Sequence, residues 1–338
     1  MSVVTLVYVT IAVALVFDVI NGFHDAANSI ATVVSTRVLS PRLAVLWATV
    51  FNFVALFIFG EGVAHTIEKI IHIDAADPSH AFVWVVVSGL VGAIAWNLLT
   101  WWWGLPSSSS HALIGGLSGA GIAYAGFDVL DKATLLPTLY FIVLAPIIGL
   151  ILGAIAMFLL MWLFRGMRPR KVDRTFRVAQ LFSAAAYSIG HGGNDAQKTI
   201  GVIWAVMIAG GVLPTSATAA PFWVIIASYS AMAFGTALGG HRIIKTLGMG
   251  ITSLKPHGGF AANLAGAVTL FGATHLHIPV STTHTITGAI VGVGSVEKVR
   301  GIRWGLATRI VWAWIFTIPA AGAVGAAVLA ILHAAGAY

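Results

Sequence analysis

From Val3 to Leu332 the chain is a succession of apolar runs, most of them long enough to cross a bilayer, separated by short polar gaps. About 20 apolar residues suffice for one helical crossing. That pattern decides the class of structure, because a backbone group left without a partner in hydrocarbon costs several kcal/mol and a spanning segment must satisfy its own hydrogen bonds. The chain is therefore predicted to be an all-α polytopic membrane protein, and nothing in it leaves room for a water-soluble domain. Only 9% of its 338 residues are charged and 59% are hydrophobic, against about 25% charged in soluble domains. A net charge of +7 would point to nucleic acid in a soluble protein. Here the basic residues gather in short loops, as the positive-inside rule expects, so the implied surroundings are membrane lipid and no nucleic acid. Absence of cysteine excludes disulfides and thiolate metal sites. The N-terminus has no Lys/Arg-rich start and meets Asp18 and Asn21 where a cleavage site would fall, so it reads as a retained first helix.

Two short stretches put acids inside this apolar chain: Asn21-Gly-Phe-His-Asp25-Ala-Ala-Asn28 and Gly190-His-Gly-Gly-Asn194-Asp195-Ala-Gln-Lys198. An intramembrane carboxylate costs about 3 kcal/mol or more, which makes each a candidate functional site. Asp18, Asn21, Asp25 and Asn28 share one stripe of an unbroken helix, and Gly22 in its middle is predicted to break that helix. Asp18 itself reads as a solvated acid near the interface.

A second pair of motifs is Pro106-Ser-Ser-Ser-Ser-His111 and Pro279-Val-Ser-Thr-Thr-His284. They align Ser108 with Ser281, Ser109 with Thr282, Ser110 with Thr283 and His111 with His284. Proline, hydroxyls and histidine cannot open a lipid-facing helix, so both read as broken, re-entrant helices facing a cavity. Hydroxyls and free N–H groups at a half-helix start attract a small oxyanion. A single such cluster would more simply bond back to its own helix; recurrence in both halves beside Pro and His favours a binding role.

Asp25 and Asp195 are 170 residues apart, and His111 and His284 are 173 apart. Two motifs recurring in one order at nearly one period imply a duplication. The spans divide into about five crossings per half, and an odd number makes the second half enter from the opposite side. The predicted layout is a first repeat over 1–164, a basic cytoplasmic linker over 165–177 and a second repeat over 178–338. Placing that linker inside also puts Arg37, Arg42, Arg242, Lys245, Lys298, Arg300 and Arg303 inside, and leaves the acidic 61–80 loop and both termini outside. This is the inverted-topology plan of secondary transporters, with the site at the repeat interface.

The carboxylates would repel an anion unless a cation entered too, a physical reason for symport. The halves differ: His24 stands opposite Asn194, Ala27 opposite Gln197, and Asn28 opposite Lys198, whose ammonium cannot ligate a cation. His24, His111, His191 and His284 either carry protons or serve as hydrogen-bonding scaffold. His257, His275 and His277 have no recognisable metal spacing. Glycines such as Gly115, Gly119, Gly288 and Gly292 read as packing positions.

At these motifs the chain resembles the PiT family of inorganic phosphate transporters, whose duplicated signature is similar to the two acid motifs above. The resemblance runs over essentially the whole chain. It implies a secondary active symporter in the cell inner membrane, importing inorganic phosphate on a proton or sodium gradient, working as a homodimer and not as an enzyme. It implies phosphate binding by Ser108, Ser109, Ser110, Ser281, Thr282 and Thr283, and coupling-ion or proton binding, sodium included, at Asp25, Asn28, Asn194 and Asp195. His24, Gln197, Lys198, His111 and His284 would support them, and no cofactor is implied. Phe23-His24 in the first copy is similar to a bacterial, low-affinity, proton-coupled branch that takes phosphate alone or as a neutral complex with a divalent metal. Lys198 departs from the signature's Asn and puts a symmetric pair of sodium sites in doubt. Alternatives left open are a sulfate permease of the same fold, an intramembrane hydrolase using Asp25 and Asp195 as acid and base, and a non-transporting membrane subunit.

Overall fold

The computed structural model describes residues 2–71, 80–239, 243–244, 246–247 and 251–337. Eleven helices are described: α1 (Val3–Ser35), α2 (Pro41–Val54), α3 (Gly62–Glu68), α4 (Ala81–Trp103), α5 (Ser109–Ala125), α6 (Lys132–Leu163), α7 (Pro169–Ala209), α8 (Phe222–Leu238), α9 (Pro256–His275), α10 (Thr282–Lys298) and α11 (Trp304–Ala334). Their ends are legible in the local chemistry. Ser2 accepts from the Thr5 amide at 3.2 Å to start α1. Proline opens α2, α7 and α9, where its missing N–H costs nothing. Gly104, at φ 66°, closes α4 in the left-handed region. Asp74 and Asp77 of the acidic loop lie outside the described residues, as do His241, Arg242 and Lys245.

The contacts between α1 and α7 establish the relation of the halves. Near one end Val7 packs on Gly210; further along Ser29 Oγ lies 3.1 Å from His191 Nδ1. Then the Thr36 hydroxyl donates to Gln180 Oε1 at 2.9 Å, and the Arg177 guanidinium donates to the Arg37 carbonyl. One residue number rises as the other falls, so these equivalent helices are antiparallel and the repeats are inverted. The basic residues Arg37 and Arg177 meet at one end, while Glu61 accepts from the Ala220 amide at 2.8 Å at the other. The basic 165–177 stretch is largely the first turns of α7 rather than a free loop.

Gly22 does not break α1, which runs unbroken from Val3 to Ser35. A Cβ there would lie 2.2 Å from the Met232 carbonyl oxygen of α8, and one at Gly235 would lie 2.0 Å from the Val19 carbonyl oxygen of α1. Gly192, 170 residues after Gly22, does the same work on the other side: its Cβ would lie 2.4 Å from the Asn52 oxygen of α2. Each half's first helix thus crosses the other half's second helix backbone to backbone, the close approach small residues permit. The repeats interlock; they are not separable bodies.

The expected discontinuities are present. Gly116 of α5 lies against Gly89 of α4, which starts α5 about two turns, or roughly 10 Å, inside the end of α4. In the other half Gly266 of α9 lies against the Tyr187 ring of α7, and the Ile286 side chain of α10 reaches within 3.5 Å of its Cβ position. The segments before Ser109 and Thr282 therefore turn back into the protein before their helices begin. One further break was not expected: the 61–80 stretch contains α3, bent by 85° from the preceding helix.

Gly235→Leu should force α1 and α8 apart and destabilise the protein by about 1–3 kcal/mol, the usual range for overpacking. Thermal unfolding in detergent should show it. Gly60→Ala, where an added Cβ meets nothing within 4 Å, should leave the transition unmoved.

Candidate functional site

Inversion brings the four motifs to one place. Antiparallel α1 and α7 set Asp25 and Asp195 at the same level, and α5 and α10 end their re-entrant turns beside them. Every sequence-predicted site residue is buried, with at most 4% of its surface exposed.

Asp195 is the balanced carboxylate. Lys198, one turn on along α7, pairs with its Oδ1; His191 Nε2 lies 3.1 Å from Oδ2, and the Thr282 hydroxyl donates to Oδ2 at 3.2 Å. The Lys198 ammonium also donates to the Ser110 hydroxyl and to the Val280 carbonyl at 2.8 Å. Three oxygens thus use its three protons, as a buried ammonium requires.

Asp25 has no such counter-charge. Its Oδ1 is 2.8 Å from His24 Nδ1 and 3.5 Å from the Thr283 hydroxyl that donates to it. Where α7 carries Lys198, α1 carries Asn28, which donates to the Thr283 hydroxyl at 2.8 Å and the Thr282 hydroxyl at 3.3 Å. His24 Nε2 faces the Thr100 hydroxyl at 3.1 Å, itself 2.8 Å from the Ser107 hydroxyl. Donor atoms of Asp25, His191 and Asp195 all lie within 4.8 Å of one another. This grouping offers a cation two carboxylates and one imidazole.

The hydroxyl motifs divide their labour. Ser108 and Ser281 accept from the amides of His111 and His284, each at 3.2 Å, so their oxygens cap α5 and α10. Ser110 is held by Lys198, and Thr282 and Thr283 are shared with Asn28 and the carboxylates. Ser109 Oγ is buried with no hydrogen-bond partner. Behind them His111 and His284 meet edge to face with ring centroids 4.4 Å apart, and His284 stacks on Trp314 at 3.8 Å.

Asn194, grouped with the coupling-ion residues, and Gln197, grouped with the supporting ones, both bond to backbone. Asn194 donates to the Thr274 hydroxyl and the Ile278 carbonyl and accepts from the Val280 amide at 3.1 Å, pinning the turn before α10. Gln197 accepts from the Val63 amide at 2.8 Å and ties α3 to α7. The sequence reading missed Tyr187, whose hydroxyl donates to the Thr282 carbonyl at 3.0 Å, and the Thr100–Ser107 pair behind His24. Tyr187 was findable: it sits one turn before His191 on the face that carries Asp195. Thr100 was not, since a lone threonine in an apolar span carries no signal. A cleft of about 370 Å³ lined by His65, Lys69, Thr134, His277 and Pro279 opens beside the turn that leads to Val280.

A family model described as the phosphate transporter family matches residues 21–171 and 165–325. The chain is 54% identical over 316 residues to a probable low-affinity inorganic phosphate transporter of Rhizobium meliloti, covering 94% of this chain and 93% of that one. It is 45% identical to a probable low-affinity inorganic phosphate transporter of Bacillus subtilis, with 95% of each covered. Among solved structures, one titled the sodium-dependent phosphate transporter superposes with a TM-score of 0.89 at 25% identity, covering 97% of this chain and 99% of that one.

Lys198→Met should leave Asp195 buried without its ammonium and cost about 3–5 kcal/mol, whereas adding Asp195→Asn to it should recover most of that loss. Unfolding midpoints of the two single variants and the double variant, compared as a cycle, measure the coupling.

Proposed function

This chain belongs to the phosphate transporter family, and from that premise we propose that it imports inorganic phosphate as a cation-coupled symporter. It is a membrane-embedded transporter, not an enzyme. The carrying observation is the inequality of the two carboxylates: Asp195 has an ammonium at Lys198, and Asp25 has a histidine at 2.8 Å and an amide where that ammonium would be. A charge buried without a partner is costly. A mobile cation at Asp25 removes that cost and cancels the repulsion of an incoming anion. Lys198 is the built-in counterpart on the other side, so one half carries its cation permanently and the other takes it up with substrate.

Phosphate binding is assigned to the converging starts of α5 and α10. Ser109, Ser110 and Thr283 supply hydroxyls, the first-turn amides of the two helices supply partial positive charge, and Lys198 supplies full charge through its contact with Ser110. Ser108 and Ser281 keep hydroxyl protons that can still donate, while Thr282 gives its own to Asp195. His24, braced by Thr100, orients or protonates Asp25. His111 and His284 form the floor. Proton is the leading coupling ion because Asp25 already has an imidazole partner; sodium and a neutral metal-phosphate complex are the arms against which it is tested.

The test is phosphate uptake by the purified protein in liposomes under proton and sodium gradients imposed separately, with and without a divalent metal, and with sulfate as competitor. Uptake should follow the proton gradient, and Asp25→Asn should abolish gradient-driven accumulation. Full transport by the Asp25→Asn, Asp195→Asn double variant would refute the mechanism. Lys198→Asn, which makes the halves alike, should raise the number of cations carried per phosphate by one, read from the reversal potential of phosphate flux.

A further inference from the structure

One acid stands apart from the site just described. Asp18 is not the solvated interfacial residue its position suggested: it is completely buried, and neither carboxylate oxygen has a hydrogen-bond partner. Seven residues before Asp25 on α1, it lies about 10 Å from that residue along the helix. The Thr199 hydroxyl of α7 and the Asn21 side chain face it, yet Thr199 Oγ1 and Asn21 Oδ1 make no hydrogen bond within normal distance, and neither does the hydroxyl of Tyr229 on α8, which faces Gln197 and lies within electrostatic reach of Asp18. Buried polar groups are almost always paired. Here both oxygens of one carboxylate and three oxygens near it make no such bond.

The charges nearby do not resolve this. Asp195 and Lys198 of α7 both act on Asp18 with opposite sign, and they are already paired with each other. Asp25 and His24 lie two turns on along α1. Helix α4, which also packs on α1, contributes no titratable side chain, and Arg42 of α2 lies toward the opposite, basic end. Tyr229 sits within electrostatic reach of both Asp18 and Glu61. Glu61 is partly exposed and accepts from the Ala220 amide at the acidic end of the molecule. Glu61 and Asp18 thus both act on Tyr229, and Thr199 faces Asp18 from the position next to Lys198.

We propose that Asp18, with the oxygens of Asn21, Thr199 and Tyr229, is a second loading position for a monovalent cation, a proton or a sodium ion, between the Glu61 end and the Asp25–Asp195 site. The inference rests on the reading of the chain as a cation-coupled carrier. Oxygen donors alone, one of them a carboxylate, suit either ion. An ion there neutralises a carboxylate that otherwise stands ionised in a low-dielectric interior.

Asp18→Asn imitates the neutral, loaded carboxyl. In liposomes it should retain phosphate exchange in the absence of a gradient within about twofold, while the cation-to-phosphate ratio falls by one. Losing one coupled charge lowers the limiting accumulation about fiftyfold at a potential of about 100 mV. If the lost dependence is on the proton gradient the ion is a proton; if on the sodium gradient, sodium. Tyr229→Phe and Thr199→Val, which keep the carboxylate, should raise the cation concentration for half-maximal uptake several-fold. A wild type with no phosphate flux would overturn the transporter reading itself. A coupled wild type whose ratio is unchanged in Asp18→Asn, or an unchanged cation dependence in the two milder variants, would overturn this inference alone.

Discussion

The structure depends on how charge is balanced where antiparallel α1 and α7 cross. Two carboxylates buried there repel each other and any anion, and each must be answered by a cation. One answer is covalent to the chain: Lys198, one turn from Asp195, spends its three protons on Asp195, Ser110 and Val280. The other carboxylate, Asp25, faces an imidazole at 2.8 Å and has Asn28 where that ammonium would stand. The fold is symmetric, and its charge pattern is not.

Packing serves that crossing. Glycines at 22, 192 and 235 bring helices of opposite halves to backbone contact, which places Asp25, His191 and Asp195 within a few ångström of one another. The re-entrant starts of α5 and α10 then deliver hydroxyls and unpaired amides to the same level. Because the halves interlock, a shift of one second helix moves against the other half's first helix.

The duplication, the inversion and the four motifs were legible because each leaves a local mark: an acid in an apolar run, a proline before hydroxyls, a period of about 170 residues. Gly22 was misread because glycine can equally mean a break or a close contact, and only the Met232 backbone beside it distinguishes the two. That Asn194 also holds the turn before α10 carried no mark in the sequence. Asp18 looked like an interfacial acid and is fully buried, facing Thr199 of another helix.

The sequence alone thus determined that this is a duplicated, inverted, all-helical membrane protein with paired acid and hydroxyl motifs, because periodicity, hydropathy and charge are local properties of the chain. Only the tertiary structure decided which hydroxyls cap helices and which stay open, which acid has a built-in counter-charge, and that Asp18 lies buried without one. Those are facts of distance and dielectric between residues as far apart as Thr283 and Asp25, and no pattern along the chain encodes them.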